Sequence, residues 1–212
     1  VAKKINIPCY ETPTGWKFFG NLLDSNMITI CGEESFGTGS NHVREKDGLW
    51  AVLFWLQILA SKKCSVSDLI NNHWNDFGRN YYTRHDYESI SQDVADQIYK
   101  NLENLLPQLK NNKFANTLVV NADNFTYIDP IDNSISKNQG LRIILENNAR
   151  IILRLSGTGT KGSTLRVYYE KSCQPNEKLN LNPQIALHDL IKSFDDLLNI
   201  SKLTKMDQPT VI

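Results

Sequence analysis

The sequence predicts an α/β segment followed by an α+β domain whose helices pack on an antiparallel sheet. In residues 1–75, short strand patterns alternate with polar loops and lead into apolar helices. Further along, a long amphipathic helix precedes five strand patterns, and another amphipathic helix follows them. The stretch between these two parts lacks a clear period. We therefore expect one domain over 1–78, a second over 79–212, and a linker at about 75–87.

The first segment contains two short strand patterns. Ile5, Ile7 and Cys9 alternate with other residues as in a half-buried strand. Residues 27–30 form a continuous buried-strand pattern, and a polar, glycine-rich loop follows them directly. Open α/β sheets bind ligands at the carboxyl ends of such strands, which makes this loop a candidate site.

Two helices are predicted after that loop. The first begins near Gly48, with Asp47 as its N-cap, and its apolar residues cover nearly every face. This pattern is typical of a helix that is buried on most sides. The second begins at Ser65, whose spacing to Asp68 fits a capping box.

The second domain begins with a helix from about Tyr87 to Leu106, which Pro107 is expected to end. Pro183 opens the final helix. Between these helices, residues 146–149 make a credible hairpin turn. The strand patterns lie at 117–120, 126–129, 141–146, 150–155 and 164–170.

The loop over 154–166 has the composition of an anion site. An arginine stands at each end, and the residues between are mainly glycine, serine and threonine. Glycines let successive backbone N–H groups turn inward, and the Arg154 and Arg166 guanidinium groups can grip a phosphate dianion. Apolar patterns on both sides predict that the loop joins two antiparallel strands, unlike a P-loop. On composition alone, a flexible hairpin with incidental arginines fits equally well.

The loop over 31–48 offers a second set of polar groups. Glu33 and Ser35, two residues apart, can accept from and donate to neighbouring sugar hydroxyls. Lys46 lies just before a helix start, where a cation and helix amides suit an anionic group. Taken alone this is a weak signal, because glutamate-rich loops are usually solvated.

Together these segments resemble the C-terminal part of phosphoglucomutase, in the α-D-phosphohexomutase superfamily. The resemblance runs from end to end, and it implies a mixed-sheet part of the family's third domain followed by its fourth domain. It is carried by Glu11-Thr-Pro-Thr-Gly-Trp-Lys-Phe-Phe-Gly20, Cys31-Gly-Glu-Glu-Ser-Phe-Gly-Thr-Gly39, Arg44-Glu-Lys-Asp-Gly-Leu-Trp-Ala-Val52, Ser136-Lys-Asn-Gln-Gly-Leu-Arg142 and Arg154-Leu-Ser-Gly-Thr-Gly159.

The resemblance also implies roles for individual residues. The loop between the two arginines would hold the substrate phosphate that is not being transferred, through Arg154, Ser156, Gly157, Thr158, Gly159 and Arg166. The sugar would contact Glu33, Ser35, Thr14 and Lys46. For Thr14, a purely structural turn at Pro13–Gly15 is the alternative. Arg44 is expected to be salt-bridged at the surface.

The activity implied is interconversion of glucose 1-phosphate and glucose 6-phosphate through a phosphoserine enzyme and glucose 1,6-bisphosphate, with Mg2+. The family's Thr-Ala-Ser-His-Asn-Pro serine motif and Asp-Gly-Asp-x-Asp-Arg metal loop do not occur in these 212 residues. We therefore expect no catalytic residue and no metal ligand in this chain, and inactivity of the chain alone. Its partners would be hexose phosphates and the N-terminal domains of the same polypeptide.

Composition restricts the other classes of function. The 23 basic and 23 acidic residues give a net charge of zero, so nothing draws the chain electrostatically to nucleic acid or membrane. The four cysteines form no Cys-x-x-Cys pair, which favours buried, reduced thiols in a cytoplasmic protein. The alternative function is a non-enzymatic scaffolding relative of the parafusin or aciculin kind.

Overall fold

The chain divides into two compact units. The computed structural model describes residues 1–159 and 162–212, with the backbone alone at 157–159. By their contacts, Val1–Phe77 and Tyr127–Ser136 form the first unit, and Gly78–Thr126 and Lys137–Ile212 form the second.

Helices dominate residues 1–77. In chain order, the elements are α1 (Ala2–Ile5), α2 (Lys17–Asp24), β1 (Ile30–Gly32), β2 (Thr38–Ser40), α3 (Gly48–Lys62) and α4 (Val66–Phe77).

The remaining elements are β3 (Arg79–Ile90), α5 (Gln92–Leu109), β4 (Lys113–Phe114), β5 (Thr117–Asn124), β6 (Tyr127–Ile128), β7 (Ile135–Ser136), β8 (Leu141–Leu145), β9 (Arg150–Gly159), β10 (Gly162–Cys173), α6 (Pro183–Ala186), α7 (His188–Leu198) and α8 (Ile200–Thr204).

The predicted helix starts at α3 and α4 are confirmed. The Asp47 carboxylate accepts a hydrogen bond from the Trp50 N–H at 2.9 Å, which satisfies a donor of the first turn of α3. The Ser65 hydroxyl accepts from the Asp68 N–H at 3.1 Å and donates to its carboxylate at 2.6 Å. Both short side chains therefore fix where the helices begin.

The predicted burial of α3 is wrong for the described residues. None of its side chains is buried, and Leu49 is 78% exposed. The apolar side chains of α3 favour burial, but the described residues around the helix do not cover them. Within the described residues, no single helix is long and apolar enough to cross a membrane; only the bent pair α3–α4 passes that test jointly.

The predicted strand at the N-terminus is also wrong. Residues from Ala2 to Ile5 form α1, Asn6 adopts the left-handed conformation with φ 56°, and no strand follows through Cys9. Three alternating apolar residues are too short a pattern to distinguish a strand from a helical turn. Cys9 is exposed, contrary to the expectation of buried thiols, whereas Cys31 and Cys173 are buried.

The first unit includes the β6–β7 hairpin, which packs on α2. The rings of Phe18 and Tyr127 meet edge to face with their centroids 5.3 Å apart. Nearby, the Asn21 side-chain amide donates to the carboxylates of Asp129 at 3.1 Å and Asp132 at 3.2 Å. An apolar contact and a polar pair therefore hold the hairpin against the same helix.

The second unit is built on an antiparallel sheet. Within the described residues its strand order is β3-β10-β9-β8-β5-β4, and every neighbouring pair is antiparallel. The strands β9 and β10 form a hairpin, as the sequence predicted for the loop between Arg154 and Arg166. The turn at 146–149 is confirmed, with the Leu145 N–H donating to the Ala149 carbonyl at 2.9 Å.

Helices cover one face of this sheet, which confirms the predicted α+β arrangement. Alternate residues of the central strands are buried against α5, including Leu153, Leu165 and Val167. The Tyr169 ring meets Phe194 of α7 edge to face at 5.9 Å. Helix α5 continues to Leu109 through Pro107, so the predicted helix end is wrong; Pro107 lacks one helical N–H donor, and the helix extends only two residues beyond it.

Strand β3 corrects the expectation of an irregular connection over 75–87. It runs for 12 residues and pairs with β10 along its length. Tyr81 and Tyr87 point into the core, whereas Arg84 and Asp86 face the opposite side and form an ion pair there. Because polar groups are buried on one side and aromatic groups on the other, the strand shows no simple hydrophobic alternation.

Candidate functional site

The face of the second unit's sheet opposite α5 carries a group of arginines. Along β10, the buried Leu165, Val167 and Tyr169 alternate with Arg166 and Tyr168, which face away from the helices. The corresponding side chains of the neighbouring strands extend this surface. We call it the arginine face, formed around Arg84, Arg142, Arg150, Arg154 and Arg166.

The two arginines singled out in the sequence lie directly opposite each other. Arg154 of β9 and Arg166 of β10 are cross-strand partners, and both side chains are half-buried. Partner residues of an antiparallel pair project from the same face with their Cβ atoms about 5 Å apart. Two positively charged side chains therefore start from neighbouring positions on one face, an arrangement that a bound anion would stabilise.

Arg166 is anchored by a buried carboxylate. Its Nε lies 3.2 Å from Oδ2 of Asp86, whose side chain is 2% exposed. On the other side of the same carboxylate, Nε of Arg84 lies 2.9 Å from Oδ1. The register of β3 against β10 places Asp86 directly beside Arg166.

Other arginines of the face are bound to carboxylates. Arg142 makes a two-point contact with Asp123, from Nε at 2.8 Å and from Nη2 at 2.7 Å. These hydrogen bonds hold the pKa of the Asp123 carboxyl below its ordinary value, although partial burial opposes them. Arg150 pairs with Glu170. Within the described residues, Arg154 is the arginine of this face that has no ion pair.

A glycine makes room for Arg154. Gly140 has φ +140°, and a Cβ built there would lie 3.0 Å from Cγ of Arg154 and 3.1 Å from Cγ2 of Ile152. Both distances are tighter than ordinary van der Waals contact, so any larger residue would displace the arginine stem or the strand beneath it.

The tip of the β9–β10 hairpin is described only in part. Ser156 pairs across the hairpin with Thr164. At Gly157, Thr158 and Gly159 only the strand backbone is described, so the predicted Thr158 hydroxyl contact lies outside the described residues. Gly162 has φ +99°, and a Cβ there would lie 2.9 Å from the Ile90 carbonyl, which explains a glycine at this end of the tip.

The second candidate loop, in the first unit, is a short β-hairpin. Strands β1 and β2 pair through Cys31 and Gly39. The Glu33 N–H donates to the Gly37 carbonyl at 2.9 Å and closes the loop. At its tip Phe36 adopts φ 64° and is 80% exposed. The hairpin therefore presents Glu33 and Ser35 from a backbone that is fixed at both ends.

The structure brings Lys46 and Glu33 together. Lys46 Nζ forms an ion pair with the Glu33 carboxylate, whose side chain is 16% exposed. To reach it, the lysine side chain crosses Gly37, where a Cβ would lie 2.2 Å from Cε of Lys46. A larger residue at position 37 would force the lysine side chain to take another path to the carboxylate, so Gly37 permits the path seen here.

The tryptophan of the first recognised segment packs under this loop. Trp16 donates its indole N–H to the Arg44 carbonyl at 2.9 Å, and its ring lies against Gly39, where a Cβ would be 2.6 Å from Cζ2. Lys46 Nζ lies 5.9 Å from the centre of that ring. Arg44 itself pairs with Asp24 at the surface, as the sequence predicted.

Thr14 and Ser35 are less constrained than Glu33 and Lys46. Both are exposed, and within the described residues neither forms a side-chain hydrogen bond that joins it to the other two. Thr14 lies two residues before Trp16 in the turn that leads into α2. These two hydroxyls are accessible to a ligand in solution.

Sequence reasoning missed three supporting residues of these sites. Gly37 and Gly140 lie inside segments that carry the family resemblance, but only the contacts with Lys46 and Arg154 reveal their purpose. Asp86 lies in the stretch interpreted as a linker, so no pattern pointed to it.

Family models match nearly the whole chain. The alpha/beta/alpha domain III of phosphoglucomutase/phosphomannomutase matches residues 1–77, and the phosphoglucomutase-1 C-terminal domain matches residues 79–210. These two matches, one over each part of the chain, place it in the phosphoglucomutase/phosphomannomutase class. More narrowly, the chain belongs to the phosphoglucomutase family.

Individual relatives are similar over the full chain. The phosphoglucomutase of Rhizobium radiobacter is 54% identical over 212 residues, and phosphoglucomutase-1 of Oryctolagus cuniculus is 50% identical over 219. All of this chain matches, but it spans only 39% of each relative. The open form of pp63/parafusin from Paramecium, an exocytosis-sensitive phosphoprotein also called a phosphoglucomutase, superposes with a TM-score of 0.89 at 44% identity, covering 99% of this chain and 37% of that one.

Proposed function

We propose that this chain provides substrate recognition in a phosphoglucomutase that interconverts glucose 1-phosphate and glucose 6-phosphate. The observation that carries the proposal is the position of Arg154, half-buried opposite Arg166 and without an ion pair in the described residues. A phosphate group with a charge near −2 neutralises two such arginines. In this proposal Arg154 and Arg166 of the arginine face hold the phosphate that is not being transferred, with help from Ser156, Gly157, Thr158 and Gly159.

The sugar is assigned to the hairpin of the first unit. Glu33 accepts hydrogen bonds from sugar hydroxyls, Ser35 and Thr14 donate to or accept from them, and Lys46 adds a charged donor. The ion pair between Lys46 and Glu33 satisfies both groups without ligand, so an incoming sugar would exchange one set of polar contacts for another.

The use of different residues for the phosphate and for the sugar is consistent with a mutase reaction. In the proposed reaction glucose 1,6-bisphosphate must reorient between two phosphoryl transfers, so the sugar has to be accepted in two directions. The arginine pair recognises a dianion regardless of the carbon that bears it. Hydroxyl contacts on neighbouring carbons exchange places when the sugar turns over.

The phosphoserine and the Mg2+ ion of the proposed reaction are not assigned to this chain. Within residues 1–159 and 162–212, no three His, Cys, Asp or Glu side chains are grouped to hold a metal ion. The serine and metal motifs of the family are absent from the 212 residues. We assign them to the other domains of a longer, cytoplasmic polypeptide and derive no step through them from these residues.

A coupled assay tests the proposal. The complete polypeptide that contains this chain would be supplied with glucose 1-phosphate, Mg2+ and a trace of glucose 1,6-bisphosphate, and glucose 6-phosphate would be detected. We expect turnover by the complete polypeptide and none by the 212-residue chain. Turnover by the chain alone would contradict the assignment of the catalytic serine and the metal site to other domains.

A folded but inactive complete polypeptide would instead favour a scaffolding relative. The similarity to parafusin does not itself favour that alternative, because the Paramecium phosphoprotein is also called a phosphoglucomutase.

A further inference from the structure

Asp86 is the most deeply buried charged residue of the arginine face. The residue is 1% exposed and lies on β3 directly beside Arg166 of β10. A buried carboxylate is strongly unfavourable unless cations compensate it. The cations that compensate its charge, Arg84 and Arg166, are therefore held beside it.

The two oxygens of Asp86 contact different arginines. Oδ1 lies 2.9 Å from Nε of Arg84, and Oδ2 lies 3.2 Å from Nε of Arg166. Both Nε atoms are themselves buried, and neither meets hydrogen-bond geometry toward the carboxylate, so the two contacts are ion pairs. Because Asp86 contacts Arg166 through Nε, the two Nη groups, with four N–H donors, stay available on the same guanidinium.

The backbone of Asp86 is held as firmly as its side chain. Its N–H donates to the Val211 carbonyl at 3.0 Å, and its carbonyl accepts from the Thr210 N–H at 2.8 Å and from the Thr210 hydroxyl at 2.8 Å. The same hydroxyl accepts from the Glu88 N–H at 3.2 Å. The segment at Thr210–Val211 thus fixes the outer edge of β3 at the residue that contacts Arg166.

We propose that Asp86 is a positioning residue for anion binding, which holds the Arg166 guanidinium beside Arg154 and directs its Nη groups to the phosphate of the substrate. This inference rests on the proposed function of the arginine face. Without Asp86, Arg166 keeps its charge but loses the contact that selects its rotamer. It would also be repelled by Arg84, which stands on the other side of the carboxylate.

The test uses Asp86→Asn in the complete polypeptide, with Asp123→Asn as the matched control. Asp123 is a carboxylate of the same sheet and is also paired with an arginine, but Arg142 has no assigned role in binding. We expect Asp86→Asn to raise KM for glucose 1-phosphate about tenfold and to change kcat less than about threefold, because the contact serves binding throughout the reaction. Asp123→Asn should leave KM within about twofold of wild type.

A double-mutant cycle separates positioning from a general structural role. If Asp86 acts through Arg166, adding Asp86→Asn to Arg166→Ala should raise KM by less than about twofold further. Additive effects would overturn the inference, as would a wild-type KM in Asp86→Asn. Should Asp86→Asn fail to fold, Asp86→Glu keeps the charge but displaces the carboxylate by about 1.5 Å. An unchanged KM in the Glu variant would overturn the inference as well.

The outcomes also distinguish this inference from the proposed function. If wild type and Asp123→Asn both turn over while Asp86→Asn matches them, Asp86 is not a positioning residue and the proposed function stands. If folded wild type shows no turnover, the proposed function fails and this inference fails with it.

Discussion

At Gly140 the backbone adopts φ +140°, and a Cβ would lie 3.0 Å from Cγ of Arg154. Gly140→Ala should therefore displace the arginine and strain the backbone, at a cost of about 1–3 kcal/mol in stability. We expect a higher KM for glucose 1-phosphate and a lower Tm, measured by steady-state kinetics and thermal melting of the complete polypeptide. Gly20→Ala is the control, because nothing lies within 4 Å of a Cβ at that position. Equal effects of the two substitutions on KM would contradict the role of Gly140.

Glu33 is the residue for which we predict an effect on sugar selectivity. Its carboxylate is the acceptor at the centre of the hairpin, and its removal would leave Lys46 without this partner. Glu33→Ala should reduce the preference for glucose phosphates over mannose phosphates, measured as a ratio of kcat/KM values. Glu34→Ala changes the neighbouring carboxylate and should keep the ratio. An unaltered ratio in Glu33→Ala would count against a sugar contact.

At this scale the pairing of the two arginines could be predicted from the sequence, whereas the binding roles of the candidate site residues stay predictions. Facing arginines on a hairpin follow from two strand patterns around a polar loop, and the structure confirms that pairing. Supporting residues are different. Asp86 acts through a register between β3 and β10 that no local pattern encodes.

Thr210 provides the prediction at the scale of elements. Its hydroxyl donates to the Asp86 carbonyl and accepts from the Glu88 N–H, so it fixes the free edge of β3. Thr210→Val removes both side-chain bonds, while the Asp86 carbonyl keeps its bond from the backbone N–H of residue 210, so the loss should cost about 1–2 kcal/mol. The measurement is the free energy of unfolding of the complete polypeptide in denaturant.

The matched control for Thr210 is Thr117→Val. The Thr117 hydroxyl makes a single long contact, to the Ala115 carbonyl at 3.5 Å. Its replacement should therefore change stability by less than about 0.5 kcal/mol. A Thr210 variant as stable as the Thr117 variant would show that the segment does not hold β3.

Elements whose boundaries depend on residues nearby in the sequence were predicted better than elements that depend on contacts with distant parts of the chain. The caps at Asp47 and Ser65 were correct because one side chain satisfies donors a few residues away. Strand β3 was missed because its outer face is filled by ion pairs, which hide the alternation. The predicted burial of α3 was wrong because an apolar composition shows only that a helix favours burial. It does not show whether another element covers that helix.

At the scale of the whole molecule, His85 links folding to pH. It is buried, its ring packs edge to face on Tyr169, and Nε2 lies 3.0 Å from Oε1 of Gln184. The Gln184 amide donates to the Thr83 hydroxyl at 2.7 Å, which leaves Oε1 to accept from Nε2–H. Nδ1 is buried without a hydrogen bond among the described residues, so the neutral ring is favoured.

Stability should therefore fall on acidification. Burial lowers the pKa of His85 below its ordinary value of 6.5, although the Gln184 hydrogen bond and the Asp86 charge oppose this. The unfolded chain binds a proton before the folded one does, so this contribution is present above pH 6.5 and is lost as the pH falls through the folded-state pKa.

Thermal melting between about pH 8 and about pH 5 measures this effect. His85→Phe should flatten the decline in Tm below neutral pH, whereas His188→Phe, which changes an exposed histidine, should not. Parallel melting curves for wild type and His85→Phe would contradict the assignment.

The central claim is that the arginine face binds the phosphate of a hexose phosphate through Arg154. Its most direct test is kcat/KM for glucose 1-phosphate in wild type, Arg154→Ala and Arg142→Ala forms of the complete polypeptide. Loss of a charged anchor should cost about 1.5–3 kcal/mol, or about a tenfold to a hundredfold loss of kcat/KM, in Arg154→Ala. Arg142, which is bound to Asp123, should lose stability but little activity. A wild-type kcat/KM in Arg154→Ala, with active wild type beside it, would contradict the claim.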